Sequence, residues 1–220
     1  MKKVIILLGV PGSGKGTQAR KIATRNNYAH ISTGELCRAL ALDSHVTPEE
    51  LAELALMKEG RLVSDKIVFP LAYTAMEKAW RERDGIVLDG APRNVAQAEK
   101  LEEYFKEKKL TDEVVVIEIR LTDKSSFERM TKRKVCPQCK YILPYSPQNE
   151  KISLCPQCGG ELMVRPDDNP ETVQKRIKEQ GNSVVGPIAQ YYADRGVLNS
   201  IDGEMPIAQV EEKIKKILGE

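Results

Sequence analysis

Histidine is nearly missing from this chain of 220 residues, with only His30 and His45 present. Neither stands in a pattern that suggests a general base, which weighs against a base-driven hydrolase. An excess of one charge is missing too: 34 Lys and Arg against 32 Asp and Glu leave a formal net charge of +2. So small a surplus gives little support for bulk nucleic-acid binding. There is no apolar run near the roughly 20 residues needed to cross a bilayer, and no internal repeat apart from a doubled CPQC. The opening MKKVIILLGV has the basic and apolar front of an export signal, yet it runs into PGSGKG without a small-residue cleavage pattern. A buried first strand and a cytoplasmic location are therefore expected. With 41% apolar and 30% charged residues, the composition is that of an ordinary soluble domain with one core and room for small insertions.

What is present has a clear rhythm. Residues 4–8 are continuously apolar, the mark of a strand buried on both faces. A glycine-rich stretch follows, then a helical pattern over 15–24. Residues 30–32 read as a strand end, with Thr33 capping a helix over 34–42. TPEELAELALMKEG carries its own helix punctuation: Thr47 as cap, Pro48 in first position, Glu50 three after the cap and Gly60 as stop. Further helices are expected over 64–83, 94–108 and 207–218. Another helical pattern covers 170–195, broken near Gly181 and Pro187. Residues 127–134 are strongly basic and receive no element. Strands are expected at 85–90, 113–119 and 197–201. The alternation predicts an α/β fold, a three-layer P-loop core around a mostly parallel five-stranded sheet. Residues 33–63 and 131–169 fall outside the rhythm and read as insertions, leaving 1–32, 64–130 and 170–220 as the core.

GVPGSGKGT, residues 9–17, follows the first strand and opens a helix. Glycines including Gly12, Gly14 and Gly16 let backbone N–H groups converge, with Ser13, into a nest for phosphate oxygens. Lys15 supplies a mobile positive charge. Gly16 stands where a hydroxyl is usual and Thr17 follows one position later, so Thr17 is either a magnesium ligand or a hydroxyl that satisfies the loop. Asp89 ends a buried strand at the edge where ligand crevices lie, and beside such a loop it reads as a Mg²⁺ partner, directly or through water. Arg38, Arg93, Arg129, Arg133, Arg165 and Arg176 fall at loop and insertion boundaries. A donor triphosphate plus a phosphorylated acceptor would use that much positive charge. Such an acceptor is already largely anionic at neutral pH, because its second pKa lies near about 6. The site must then align two anions and exclude water rather than supply a strong base.

Cys136-x₂-Cys139-x₁₅-Cys155-x₂-Cys158 has the spacing of a four-thiolate metal site. Structural Zn²⁺ is the leading occupant, with iron and disulfides as alternatives, and four protein thiolates leave no open position for catalysis. The intervening KYILPYSPQNEKISL is too weakly basic to suggest nucleic acid. Cys37 stands apart as a packing residue.

Taken in order, these motifs resemble the adenylate kinase family in its long-lid, zinc-containing form, over nearly the whole chain. GVPGSGKGTQ (9–18) looks like its phosphate loop, ISTGELCR (31–38) like the start of its monophosphate-binding domain and GRLVSD (60–65) like the return. LDGAPRNVAQAE (88–99) is similar to the family's LDGFPR stretch, with Ala91 and Ala96 replacing the usual Phe and Pro. Glu35 stands where aspartate is usual. ERMTKRKVC (128–136) and RPDDNPETVQKR (165–176) look like the lid's entry and exit, and IDGEMP (201–206) like the donor-adenine loop, with Met205 where lysine is frequent. The resemblance implies a monomer that reversibly converts Mg-ATP and AMP into two ADP. It implies catalytic roles for Lys15, Arg93, Arg133, Arg165 and Arg176. Gly12, Ser13, Gly14, Lys15, Gly16, Thr17, Arg129, Arg133 and Met205 would bind ATP. Thr33, Arg38, Val63, Gly90, Arg93, Gln97, Arg165 and Arg176 would bind AMP, while Asp167 and Asp168 order the lid. Residues 33–63 become the monophosphate-binding domain and 131–169 the zinc lid. Two alternatives stand beside this: a kinase preferring GMP, UMP or CMP, and a non-catalytic P-loop module with a zinc interaction element.

Overall fold

In the computed structural model, which describes residues 2–220, β1 (Val4–Leu8) leads through the glycine loop into α1 (Lys15–Asn26) and β2 (Tyr28–Ser32). Helices α2 (Thr33–Leu40) and α3 (Pro48–Ala55) form the first excursion, and α4 (Asp65–Glu82) returns to β3 (Gly85–Asp89). Then come α5 (Val95–Glu107), β4 (Val114–Arg120) and α6 (Asp123–Lys132). Short strands β5 (Lys134–Val135), β6 (Ile142–Leu143) and β7 (Met163–Val164) carry the cysteine segment. The chain closes with α7 (Pro170–Gln180), α8 (Asn182–Ala193), β8 (Leu198–Asp202) and α9 (Ile207–Leu218).

The apolar run of β1 explains the layering. Val4, Ile6 and Leu8 point to one face, where Phe69 and Met76 of α4, Leu101 and Phe105 of α5, and Ile188 and Tyr192 of α8 pack. Ile5 and Leu7 point to the other, against Ile22 of α1 and Val210 and Ile214 of α9. With both faces filled, a polar side chain has no place in this strand, and each fully buried Ile or Leu contributes about 1.5–3 kcal/mol. The core sheet is wholly parallel in the order β2-β3-β1-β4-β8. From β1 the chain crosses to β2, returns to β3 between them, and only then passes to β4 on the far side. The reversal occurs at the carboxyl end of β1, where open α/β sheets bind ligands. Leu7 pairs in register with Asp89, so the phosphate loop and the end of β3 share that crevice.

The excursion after β2 is held by Cys37, Leu54, Val63 and Ile67, giving Cys37 its packing role. Thr47 and Glu50 form a reciprocal capping box on α3, and Gly60 ends the following turn at φ +85°. Three local expectations change. Thr33 is the first residue of α2 rather than its cap, and Ser32 occupies the cap position without a side-chain cap bond. Pro187 lies within α8 instead of breaking it. One backbone hydrogen bond is lost there, but Val185, Ile188, Ala189 and Tyr192 are buried around it, and packing outweighs the local penalty. The basic stretch begins inside α6, whose Ser126 and Met130 are buried and whose cap is Thr122, accepting from Ser125 N at 3.1 Å. Among the described residues no helix is long and apolar enough to cross a membrane.

Candidate functional site

The loop after β1 is shaped by its own lysine. Lys15 Nζ donates to the carbonyls of Gly9 at 2.6 Å and Val10 at 2.9 Å, folding the chain around itself at the start of α1. Burial brings the Lys15 amine down to about 7; Asp89 opposes the shift, and Arg93, Arg176 and Arg133 reinforce it. A phosphate arriving beside it would restore its charge. Ser126 of α6 buttresses the loop from behind, donating to the Pro11 carbonyl at 2.6 Å.

A cavity of about 820 Å³ opens above this loop. Gly12, Ser13, Gly14, Lys15, Gly16 and Thr17 line its floor, and Asp89 and Gly90 follow from the end of β3. All six arginines singled out in the sequence reach it: Arg38, Arg93, Arg129, Arg133, Arg165 and Arg176. Thr33, Val63, Gln97, Arg129 and Met205 line it as well. Gly90 is at φ +92°, and a Cβ there would come within 2.5 Å of Thr33 Oγ1 and 3.2 Å of an Arg93 guanidinium nitrogen. Only glycine lets those two side chains close over the strand end.

The cation cluster is held by carboxylates. Asp168 is fully buried between Arg133, which it meets through both oxygens, and Arg176 Nη1 at 3.0 Å. Arg165 pairs with Asp167 at 2.8 Å. Burial, and after it Arg133, lowers the Arg176 guanidinium to about 10. Asp167 lines the cavity, whereas Asp168 sits behind it. Asp168→Asn leaves Arg133 and Arg176 without their shared counter-charge. Unfolding free energy is expected to fall by about 3 kcal/mol, the lower end for a broken buried pair because both arginines keep an exposed edge. Denaturant titration checks this, and a value within about 0.5 kcal/mol of the parent would refute the strut role.

Asp89 fits a cation. Burial pushes its carboxyl up, but His30, Lys15 and Arg93 together hold it below the ordinary carboxylate range. A Cβ on Gly16 would lie 3.2 Å from Asp89 Oδ2, so the phosphate loop approaches the carboxylate closely, and Thr17 lines the same cavity.

The four cysteines converge. The Sγ atoms of Cys136, Cys139, Cys155 and Cys158 all lie within 4.8 Å of one another. Two pairs, Cys136 with Cys158 and Cys139 with Cys155, stand 3.5 Å apart. That is near the about 3.8 Å edge of a tetrahedron with Zn–S bonds of about 2.3 Å, and far beyond the about 2.05 Å of a disulfide. The two knuckles turn alike, Lys140 N donating to Cys136 O at 2.9 Å and Gly159 N to Cys155 O at 2.8 Å. The donor set fits structural zinc, and Leu143, Leu162, Tyr141 and Ile152 pack around it.

Some contributors have no role assigned to them from the sequence. His30 Nε2 lies 3.6 Å from Asp89 Oδ2, Gln180 accepts from the Arg93 guanidinium, and Glu204 pairs with Arg129 at 3.6 Å. Asp65 accepts from Gln97 at 2.6 Å. Only Asp65 and Glu204 stand inside stretches that the sequence singles out.

A family model described as "Adenylate kinase" matches residues 7–197. The adenylate kinase of Thermoanaerobacter sp. (strain X514) is 39% identical over 220 residues, covering 98% of each chain. That of Caldanaerobacter subterraneus subsp. tengcongensis is 40% identical, over 97% of this chain and 95% of its own. That of Bacillus subtilis (strain 168) is 38% identical over 219 residues, 98% of this chain and 97% of its own. The chain belongs to the adenylate kinase family.

Proposed function

We propose that the chain reversibly transfers the terminal phosphoryl group of Mg-ATP to AMP, giving two ADP. The observation that carries this reading is the single cavity in which the phosphate loop and six arginines from the core, the first excursion and the cysteine segment's flanks meet. An NTP-binding module without transfer would need the loop but not the surrounding arginines.

In this reading the loop and Lys15 hold the donor phosphates, with Arg129 and Met205 at the donor base. Thr33, Val63, Gly90 and Gln97 enclose the acceptor base, and Arg38 and Arg93 grip its phosphate. An acceptor phosphate oxygen attacks the terminal phosphorus of ATP as the bond to the bridging oxygen breaks, so that the donor leaves as ADP. Arg133, Arg165 and Arg176 stabilise charge on the transferring group. Asp89 and Thr17 are the residues that would hold magnesium, which would neutralise donor phosphate charge. Residues 33–63 and 131–169 cover the site and exclude water, which would otherwise compete as acceptor. The reading is of a monomer, working in the cytoplasm on ATP, AMP and ADP.

The test offers Mg-ATP with AMP, GMP, CMP or UMP and measures diphosphate formed. AMP should be preferred by more than about tenfold in kcat/KM, or roughly 1.4 kcal/mol. A smaller preference would overturn AMP as the acceptor, and no diphosphate at all would overturn transfer.

A further inference from the structure

Gln97 is buried at the cavity wall, and its amide is held from two sides. Its Oε1 accepts the Arg93 backbone N–H at 2.7 Å, and its Nε2 donates to Asp65 Oδ1 at 2.6 Å. Turned over, the amide would set two N–H donors against each other at Arg93 and two oxygens against each other at Asp65. The network therefore allows one orientation. Asp65 is itself fixed. It is the first residue of α4, where the positive end of the helix favours a carboxylate, and Lys100 Nζ lies 3.5 Å from its other oxygen.

After these internal bonds the amide retains one acceptor lone pair and one N–H for a base. The edge of a 6-aminopurine offers an N–H donor beside an acceptor nitrogen, and a 6-oxopurine offers the reverse. Turning the amide exchanges which edge it complements. We infer that Asp65 is a positioning residue that locks the Gln97 amide and so sets selection for 6-amino over 6-oxo purine monophosphates. The inference rests on the reading of Gln97 as an acceptor-base residue given above. It also links base reading to the return limb 60–65 of the first excursion, because the amide is locked only when Asp65 is seated.

The test compares kcat/KM for AMP and for inosine monophosphate in the parent, D65A, D65N and Q97A proteins, with KM for ATP as a control. Removing the carboxylate is expected to narrow the AMP preference by about tenfold in D65A, and also in D65N, whose own amide can turn with Gln97. KM for ATP should stay unchanged. A merely structural role for Asp65 would weaken both acceptors equally and leave the ratio intact. An unchanged ratio in D65A and D65N, with the ratio narrowed in Q97A, overturns the positioning role while sparing the base assignment. An unchanged ratio in Q97A overturns the base assignment, and the role of Asp65 with it.

Discussion

Lys15→Ala is expected to lower turnover by about 10²–10³-fold, the usual cost of removing one preorganised group from developing charge. The folded core should survive, because the lost hydrogen bonds from Nζ to Gly9 and Val10 are worth about 1.5–3 kcal/mol each, and removing the buried amine relieves its desolvation cost. The substitution also removes the charge that meets the donor phosphates, so KM for ATP should rise along with the fall in kcat. A coupled assay of ADP formation, run beside a thermal melt, separates the two consequences. Turnover within tenfold of the parent would show that the arginines suffice and that Lys15 serves only to shape the loop. The arginines are too close together to act as free substitutes: Arg133, Arg165 and Arg176 already share Asp167 and Asp168.

Loss of the cysteine cluster should have the other large effect, on the segment it holds. The packed group there is small, four buried residues of which two are the ligands Cys136 and Cys155. The surrounding sheet consists of two-residue strands, too short to be stable without a fastener. Zinc binding to such units contributes on the order of 10 kcal/mol, and that energy is folding energy. The purified protein is expected to carry one zinc, and Cys155→Ser or strong chelation should release it. Residues 134–164 should then become sensitive to protease, and phosphoryl transfer should collapse because the cover and its flanking arginines lose their placement. The core should keep its helical circular dichroism. Turnover lost while 134–164 remains protease-resistant would mean that the metal does more than fasten.

Much of the core was legible because its signals are local and mutually consistent. The β1 run, the glycine loop and the helix at its C-terminal side each have one physical reading, and the capping box at Thr47 is satisfied by groups three residues apart. The place of Asp89 was legible for a related reason: a carboxylate ending a buried parallel strand stands at the sheet edge where ligand crevices lie, and it lines the cavity beside the loop. The misreadings arose where tertiary packing outweighs a local preference. Pro187 looks like a break until the burial of Val185 and Tyr192 is counted. The basic stretch hid α6 because only Ser126 and Met130 face inward, too few to show a clear apolar stripe. The motifs include both Gln97 and Asp65 but not their pairing, since the two lie 32 positions apart in the chain.

The sequence alone determined the family, the α/β core, the phosphate loop and the thiolate set, because each depends on residue types at short, fixed spacings. The tertiary structure alone decided which charges meet. That Asp168 is buried between Arg133 and Arg176, that His30 stands beside Asp89, and that Asp65 orients the amide of Gln97 depend on strand order and on helices brought together from distant parts of the chain. Such contacts leave no local periodicity to read, since burial and charge pairing are set by what folds against a residue rather than by its neighbours in sequence.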